Sequence, residues 1–113
     1  MEFCPFGDLS KCFWNNQNLN FYEKTIKTIS TELLIALRAM HLSGVIHCNI
    51  KPTNIILDEY GNVKICDFKK ALKVNEMTIE DIKKNKAAMT PCYTAPELFS
   101  DERAYSFKSD LWV

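Results

Sequence analysis

The chain has 113 residues, 47% hydrophobic and 25% charged, and its 14 basic and 14 acidic side chains leave a formal net charge of zero. That profile fits one globular piece able to bury a core. It argues against bulk electrostatic capture by nucleic acid or by an anionic membrane surface. No apolar run approaches the roughly 18 residues of a membrane span, and Met1-Glu2-Phe3 opens no basic-then-apolar leader. The five cysteines, Cys4, Cys12, Cys48, Cys66 and Cys92, are odd in number and form no C-x-x-C pair. Reduced thiols in a cytoplasmic setting are therefore expected, rather than a zinc site or a disulfide framework.

In chain order, residues 1–14 begin apolar and break at Cys4-Pro5-Phe6-Gly7-Asp8, a turn-forming cluster, and NNQNLN at 15–20 reads as a polar loop. A helix is expected over 20–43. Asn20 with Glu23 three residues on has the pattern of a capping box. Ile26, Ile29, Leu33, Leu37 and Met40 recur along one helical face, and Ser43-Gly44 stops the run. Ile55–Leu57 and Val63–Cys66 are short β-prone runs around Asp58-Glu59-Tyr60-Gly61-Asn62, which predicts an antiparallel hairpin turning at Gly61. Folding at that turn brings Asn54 and Asp67 to the same open end. An amide oxygen beside a carboxylate suits a hard cation such as Mg²⁺. The same two residues would serve equally as strand-end caps, and spacing alone leaves both readings open.

Residues 69–90 are lysine-rich, with few large apolar groups and no clean period. They read as a mobile, solvated segment with one short helical turn near Thr78–Lys83. Order returns at TPCYTAPEL (90–98), where two prolines bracket an aromatic. Ser109-Asp110-Leu111-Trp112-Val113 looks like a helix cap leading into apolar residues. A helix broken off so early leads to the expectation that the sequence is a fragment.

The stretch HCNIKPTNIIL (47–57) gathers a histidine, two asparagines and a lysine ahead of an apolar run, without a carboxylate. With MEFCPFGDL before it and DFK, TPCYTAPE and SDLW after it, the order of motifs resembles the eukaryotic protein kinase domain, from the hinge to the start of the central helix of the large lobe. HCNIKPTN resembles the catalytic loop H-R-D-L-K-P-x-N, and DFK resembles D-F-G. The wording is most similar to Fused-like and plant RUNKEL-like serine/threonine kinases, a branch with degenerate members. The resemblance implies an α+β fold, a mainly helical C-terminal lobe with a small antiparallel hairpin, and an incomplete domain. It divides the partial domain 1–113 into a hinge (1–9), a helix (20–43), catalytic loop and hairpin (45–67), activation segment (67–97) and the start of the central helix (109–113).

The resemblance also implies roles. Glu2 and Cys4 would offer backbone groups to the adenine of ATP, Met1 would gate the pocket behind, Asp8 would reach the ribose and Ile56 would lie beneath the ring. Asn54 and Asp67 would hold Mg²⁺. Lys51 would sit near the transferred phosphate, with Thr90 bracing that loop. His47 and Phe68 would be packing residues rather than catalysts. Asp110 would hold the catalytic loop from below, and Glu97 would pair with an arginine further along.

Three departures from the family pattern matter. Asn49 stands at the position of the catalytic aspartate; an amide is not basic near neutral pH, although its oxygen still accepts a hydrogen bond. Losing general-base help costs about 10²–10⁴ in rate. Cys48 replaces the arginine that pairs with an activation-segment phosphate. Lys69 replaces the glycine after Asp-Phe and narrows the backbone freedom there, and Met89 replaces the glycine before Thr90. The expected function is a catalytically impaired serine/threonine kinase-like domain with an interaction or regulatory role, able to bind Mg·ATP once a small lobe completes the pocket. The alternatives are a slow but genuine kinase acting on protein hydroxyls, and a truncated product. Partners would be proteins, with neither nucleic acid nor membrane, and the remainder of a kinase domain is expected in the parent protein.

Overall fold

The structure, a computed structural model, describes residues 5–15, 23–87, 89–100 and 105–112. Its helices are α1 (Leu9–Asn15), α2 (Glu23–Leu42) and α3 (Ile79–Ala87), and its strands are β1 (Val45–Ile46), β2 (Ile55–Leu57), β3 (Val63–Ile65) and β4 (Leu72–Lys73). Short 3₁₀ turns at Pro52–Asn54, Phe68–Lys70, Pro91–Tyr93, Pro96–Phe99 and Phe107–Leu111 lie between and after them. The chain divides into two units, one of Met1–Arg38 with Pro52–Cys66 and the other of Ala39–Lys51 with Asp67–Val113.

In the first unit the turn cluster at the start becomes a helix cap. The Asp8 carboxylate accepts the Lys11 N–H at 3.0 Å, satisfying one of the donors that a helix N-terminus leaves open. The Gly7 carbonyl accepts the Leu57 N–H at 3.2 Å, and Asp8 forms a backbone bridge with Ile56. These bonds to β2 hold α1, which the sequence does not announce because seven residues are too few for a readable period or for independent stability.

The β2–β3 hairpin pairs Ile55 with Ile65, Ile56 with Lys64 and Leu57 with Val63. Strand pairing ends at Ile65 rather than Cys66, and the Cys66 N–H instead donates to the Asn54 carbonyl at 2.9 Å. Gly61 takes φ +82°, the left-handed conformation in which glycine carries no side-chain penalty. The turn is built on Asp58. Its carboxylate accepts the Tyr60 and Asn62 N–H groups at 2.9 Å each and the Asn62 side-chain amide at 3.0 Å, with Lys64 Nζ at 3.7 Å. The Asn62 amide above all, with these backbone donors and the Lys64 charge, holds the Asp58 carboxyl below its usual range. Glu32 on α2 accepts the Val63 N–H at 2.7 Å, joining helix to hairpin.

Helix α2 is described from Glu23, so the expected start at Asn20 lies outside the described residues. At its far end the Ser43 N–H donates to Ala39 and the Gly44 N–H to His41 at 2.9 Å, with Gly44 at φ +73°. This is the left-handed cap that favours glycine. Of the expected apolar stripe, Leu37 is buried, Ile29, Leu33 and Met40 are half-buried, and Ile26 is exposed.

In the second unit β1 pairs with β4, Val45 opposite Lys73 and Ile46 opposite Leu72. Ile46, Leu72, Ala95, Leu98 and Tyr105 form a buried core, against which Cys48, Met77, Ile82 and Met89 pack. The lysine-rich segment is more structured than expected, although many of its residues are exposed: it carries β4, and the short helical turn expected near Thr78–Lys83 is the nine-residue α3. Its anchors, Leu72, Met77, Ile82 and Met89, are too widely spaced to give a period, and their burial depends on a strand far away in sequence. Thr78 caps α3 reciprocally. Its hydroxyl accepts the Asp81 N–H at 3.1 Å, while Asp81 accepts the Thr78 hydroxyl at 2.6 Å and the Thr78 N–H at 3.2 Å. The last turn also begins earlier than expected. Ser106 precedes it and donates its N–H to Ser109 Oγ at 3.1 Å, which places Ser109 at its third position instead of at its cap.

Candidate active site

Loop 47–51 follows directly on β1, and its backbone is held by a side chain from near the end of the chain. Asp110 accepts the His47 N–H on Oδ2 at 2.8 Å and the Cys48 N–H on Oδ1 at 2.9 Å. His41 Nε2 reaches Oδ2 at 2.9 Å, and facing a carboxylate it carries the ring proton. The His41 ring in turn lies 4.8 Å from that of Phe107. The Asp110 side chain is only 1% exposed, so these charge-assisted bonds compete little with water. They matter because Cys48 sits at φ 64°. A non-glycine residue in that region costs about 1–3 kcal/mol and persists only where its surroundings impose it.

The side chains of the loop divide by environment. His47 is fully buried, with its ring edge 5.0 Å from Phe68, which leaves it no route to a substrate. Cys48 directs its sulfur toward the Ile46 carbonyl at 3.6 Å. Burial, reinforced by the Asp110 charge, pushes its thiol up to about 12, so it is neutral near pH 7. Asn49 is half-buried and, with Thr90 and Tyr93, borders a cavity of about 20 Å³, room for roughly one water. The Thr90 carbonyl accepts the Thr94 hydroxyl at 2.8 Å and the Tyr93 N–H at 3.0 Å. Lys51 is half-buried just before the Pro52–Asn54 turn.

Asp67 is exposed and left-handed at φ 65°, the second non-glycine residue at positive φ among the described residues. It precedes the Phe68–Lys70 turn, in which Phe68 is half exposed. Lys69 lies inside that 3₁₀ turn and points to exposed surface, so the glycine-like conformation falls on Asp67 instead of on the position where the family pattern has glycine. Glu97 accepts the Ser109 hydroxyl at 3.3 Å.

In the other unit, Asn54 is buried at the open end of the hairpin, opposite the turn. Asp8, expected to reach the ribose, and Ile56, expected beneath the adenine ring, are bridged through their backbones. The Asp8 carboxylate is engaged by the Lys11 N–H, with Lys11 Nζ at 3.6 Å. Met1, Glu2 and Cys4 lie outside the described residues. The sequence did not single out His41, Asp58 or Asn85. Asp58 opens the predicted turn and could have been read as its acceptor, whereas His41 and Asn85 act on partners distant in sequence and leave no local signal.

The sequence matches the family model described as protein kinase domain over residues 1–113. It is similar to serine/threonine-protein kinase RUNKEL of Arabidopsis thaliana, 40% identical over 116 residues that cover 100% of this chain and 8% of that protein. It is also similar to serine/threonine-protein kinase KIC1 of Saccharomyces cerevisiae, 37% identical over 112 residues, 99% of this chain and 10% of that protein. Serine/threonine-protein kinase D2 of Homo sapiens is 30% identical over 109 residues, 94% of this chain and 12% of its own. The chain thus spans about a tenth of the length of these curated relatives. The family match along all of its residues, and a fold of helices with small antiparallel sheets, lead to one conclusion: this chain belongs to the protein kinase domain family.

Proposed function

We propose that this serine/threonine kinase-like chain comes from a domain that binds Mg·ATP but transfers phosphate poorly, and that acts mainly through protein partners. The observation that carries the reading is Asn49. It occupies the base position in a loop whose His47 and Cys48 N–H groups are held by Asp110. The loop is built and its proton acceptor is missing. Positioning and electrostatics supply most of phosphoryl-transfer catalysis, so a residual rate about 10²–10⁴ below that of a carboxylate-bearing loop is expected.

The resemblance assigns Mg²⁺ to Asn54 and Asp67, whose amide oxygen and carboxylate are ligand types that Mg²⁺ takes, one or two protein oxygens at a time, with water and phosphate completing its shell. When bound, Mg²⁺ would neutralise phosphate charge. Lys51 would add a cation near the transferred group. In this reading the protein is cytoplasmic. Among the described residues no helix is long and apolar enough to cross a membrane.

Thermal-shift measurements on the full-length protein test nucleotide binding. Stabilisation by ATP with Mg²⁺, lost in Asp67→Ala, is expected, and no response under any condition rejects it. Phosphate transfer tests the catalytic half: Asn49→Asp should raise a weak rate by about 10²-fold or more. A brisk wild-type rate, unchanged in Asn49→Asp, would sink the impaired-loop reading and favour a working serine/threonine kinase.

A further inference from the structure

We infer that the cavity beside Asn49 holds one ordered water, and that Tyr105 acts through it as a positioning residue for the Asn49 carboxamide, a role that rests on Asn49 standing at the base position. The cavity measures about 20 Å³, enough for one water and for nothing much larger. It lies within one unit of the chain. Cys48 and Asn49 border it from the catalytic loop, and Thr90, Thr94, Tyr105 and Ser109 are among the residues that complete its wall. Cavities that stay empty are lined by carbon, whereas a wall carrying hydroxyls and a carboxamide takes up water.

Most polar groups on this wall are already engaged. Asp110 serves the His47 and Cys48 N–H groups and His41. Ser109 Oγ donates to Glu97 and accepts the Ser106 N–H. The Thr94 hydroxyl donates to the Thr90 carbonyl at 2.8 Å, and the Cys48 thiol to the Ile46 carbonyl at 3.6 Å. Tyr105 is different: it is 5% exposed, and its hydroxyl has no hydrogen-bond partner among the described residues. Burial pushes this phenol up to about 12, so near pH 7 it is a proton donor. Stranding a buried donor is costly, and a water removes that cost. The water accepts from the Tyr105 hydroxyl and from the Asn49 NH₂ and donates to the Thr94 oxygen, three bonds being usual for a buried water. This settles which end of the amide faces the reaction. With its NH₂ held by the water, Asn49 presents its oxygen, the one end that accepts a hydrogen bond from a substrate hydroxyl.

Tyr105→Phe removes the hydroxyl and little else. A crystal structure of the full-length protein should show a water about 3 Å from both Tyr105 Oη and the Asn49 carboxamide, and the structure of Tyr105→Phe should show it lost or displaced. In phosphate-transfer assays Tyr105→Phe should lower kcat by about fivefold, the worth of one hydrogen bond, with the KM for ATP unchanged. The penalty should shrink below about twofold in the Asn49→Asp background, because a carboxylate has two like oxygens and needs no aiming. Lost packing alone would lower both backgrounds equally. A dry cavity in the wild-type structure, or a Tyr105 hydroxyl bonded directly to protein, overturns the water. Equal penalties in the two backgrounds overturn the positioning role. Should the wild type transfer no phosphate, the structures decide: an Asn49 side chain that keeps its conformation and partners in Tyr105→Phe overturns that role. A failure of ATP to bind would strike the Mg·ATP reading alone and leave the water in place.

Discussion

Removing the Asp110 carboxylate should be the most damaging single change to the catalytic loop. In Asp110→Ala the His47 and Cys48 N–H groups lose acceptors at 2.8 and 2.9 Å in a place where the side chain is 1% exposed. Each stranded buried donor costs about 1–3 kcal/mol. His41 is 15% exposed at its side chain and can recover water, so its lost bond adds little. Against this, the loop relaxes out of the strained backbone at Cys48, returning part of about 1–3 kcal/mol. The net loss is about 3 kcal/mol, a large share of the roughly 5–15 kcal/mol that holds a typical domain. Asp110→Asn keeps one oxygen and turns an NH₂ toward the second N–H, so it should be nearly as severe. Urea unfolding of the full-length protein reads the stability, and exchange at the His47 and Cys48 amides locates it. A variant within about 0.5 kcal/mol of wild type, with both amides still protected, would show that the carboxylate does not brace this loop.

Other expectations are more local. At about pH 8 a thiol with its pKa near 12 is ionised in only about one molecule in 10⁴, so alkylation of the native protein should mark exposed Cys92 and spare Cys48; comparable labelling of the two would refute the buried neutral thiol. Asp58 has a lowered folded pKa, so the stability it lends is fully present above the usual aspartate value of 3.8 and fades as pH falls through the lower folded value. Urea midpoints should drop across that acid window in wild type and less in Asp58→Asn, and identical pH profiles would contradict the turn assignment. Gly61→Ala meets no atom within 4 Å but must hold φ +82°. It should cost about 1–2 kcal/mol from backbone strain alone, and an unchanged urea midpoint would mean the turn does not need that conformation.

What the sequence could express was whatever repeats locally. The β2–β3 hairpin was legible because its two apolar runs flank a five-residue turn with a glycine where left-handed backbone is required. The end of α2 was legible at Gly44 for the same reason. Helix α1 was not, because its support comes from Gly7 and Asp8 on β2 rather than from its own composition. Segment 69–90 misled because four widely spaced apolar anchors carry no period, and the lysines between them dominate any average. Asn49, Cys48 and Lys69 stood out only against a family pattern. The partner that gives Cys48 its setting, Asp110, lies 62 positions away, beyond any window of pattern reading.

The grip of Asp110 on residues 62 and 63 positions upstream also bears on how the polypeptide is made. At a ribosomal pace of roughly 5–20 residues per second, the stretch after β1 waits about 3–12 s for the acid that fixes it. Until then Cys48 has no reason to occupy a costly conformation, and closing so long a loop is entropically late. Pulse labelling during refolding should find the hairpin around Gly61 protected first and the amides of His47 and Cys48 among the last to settle.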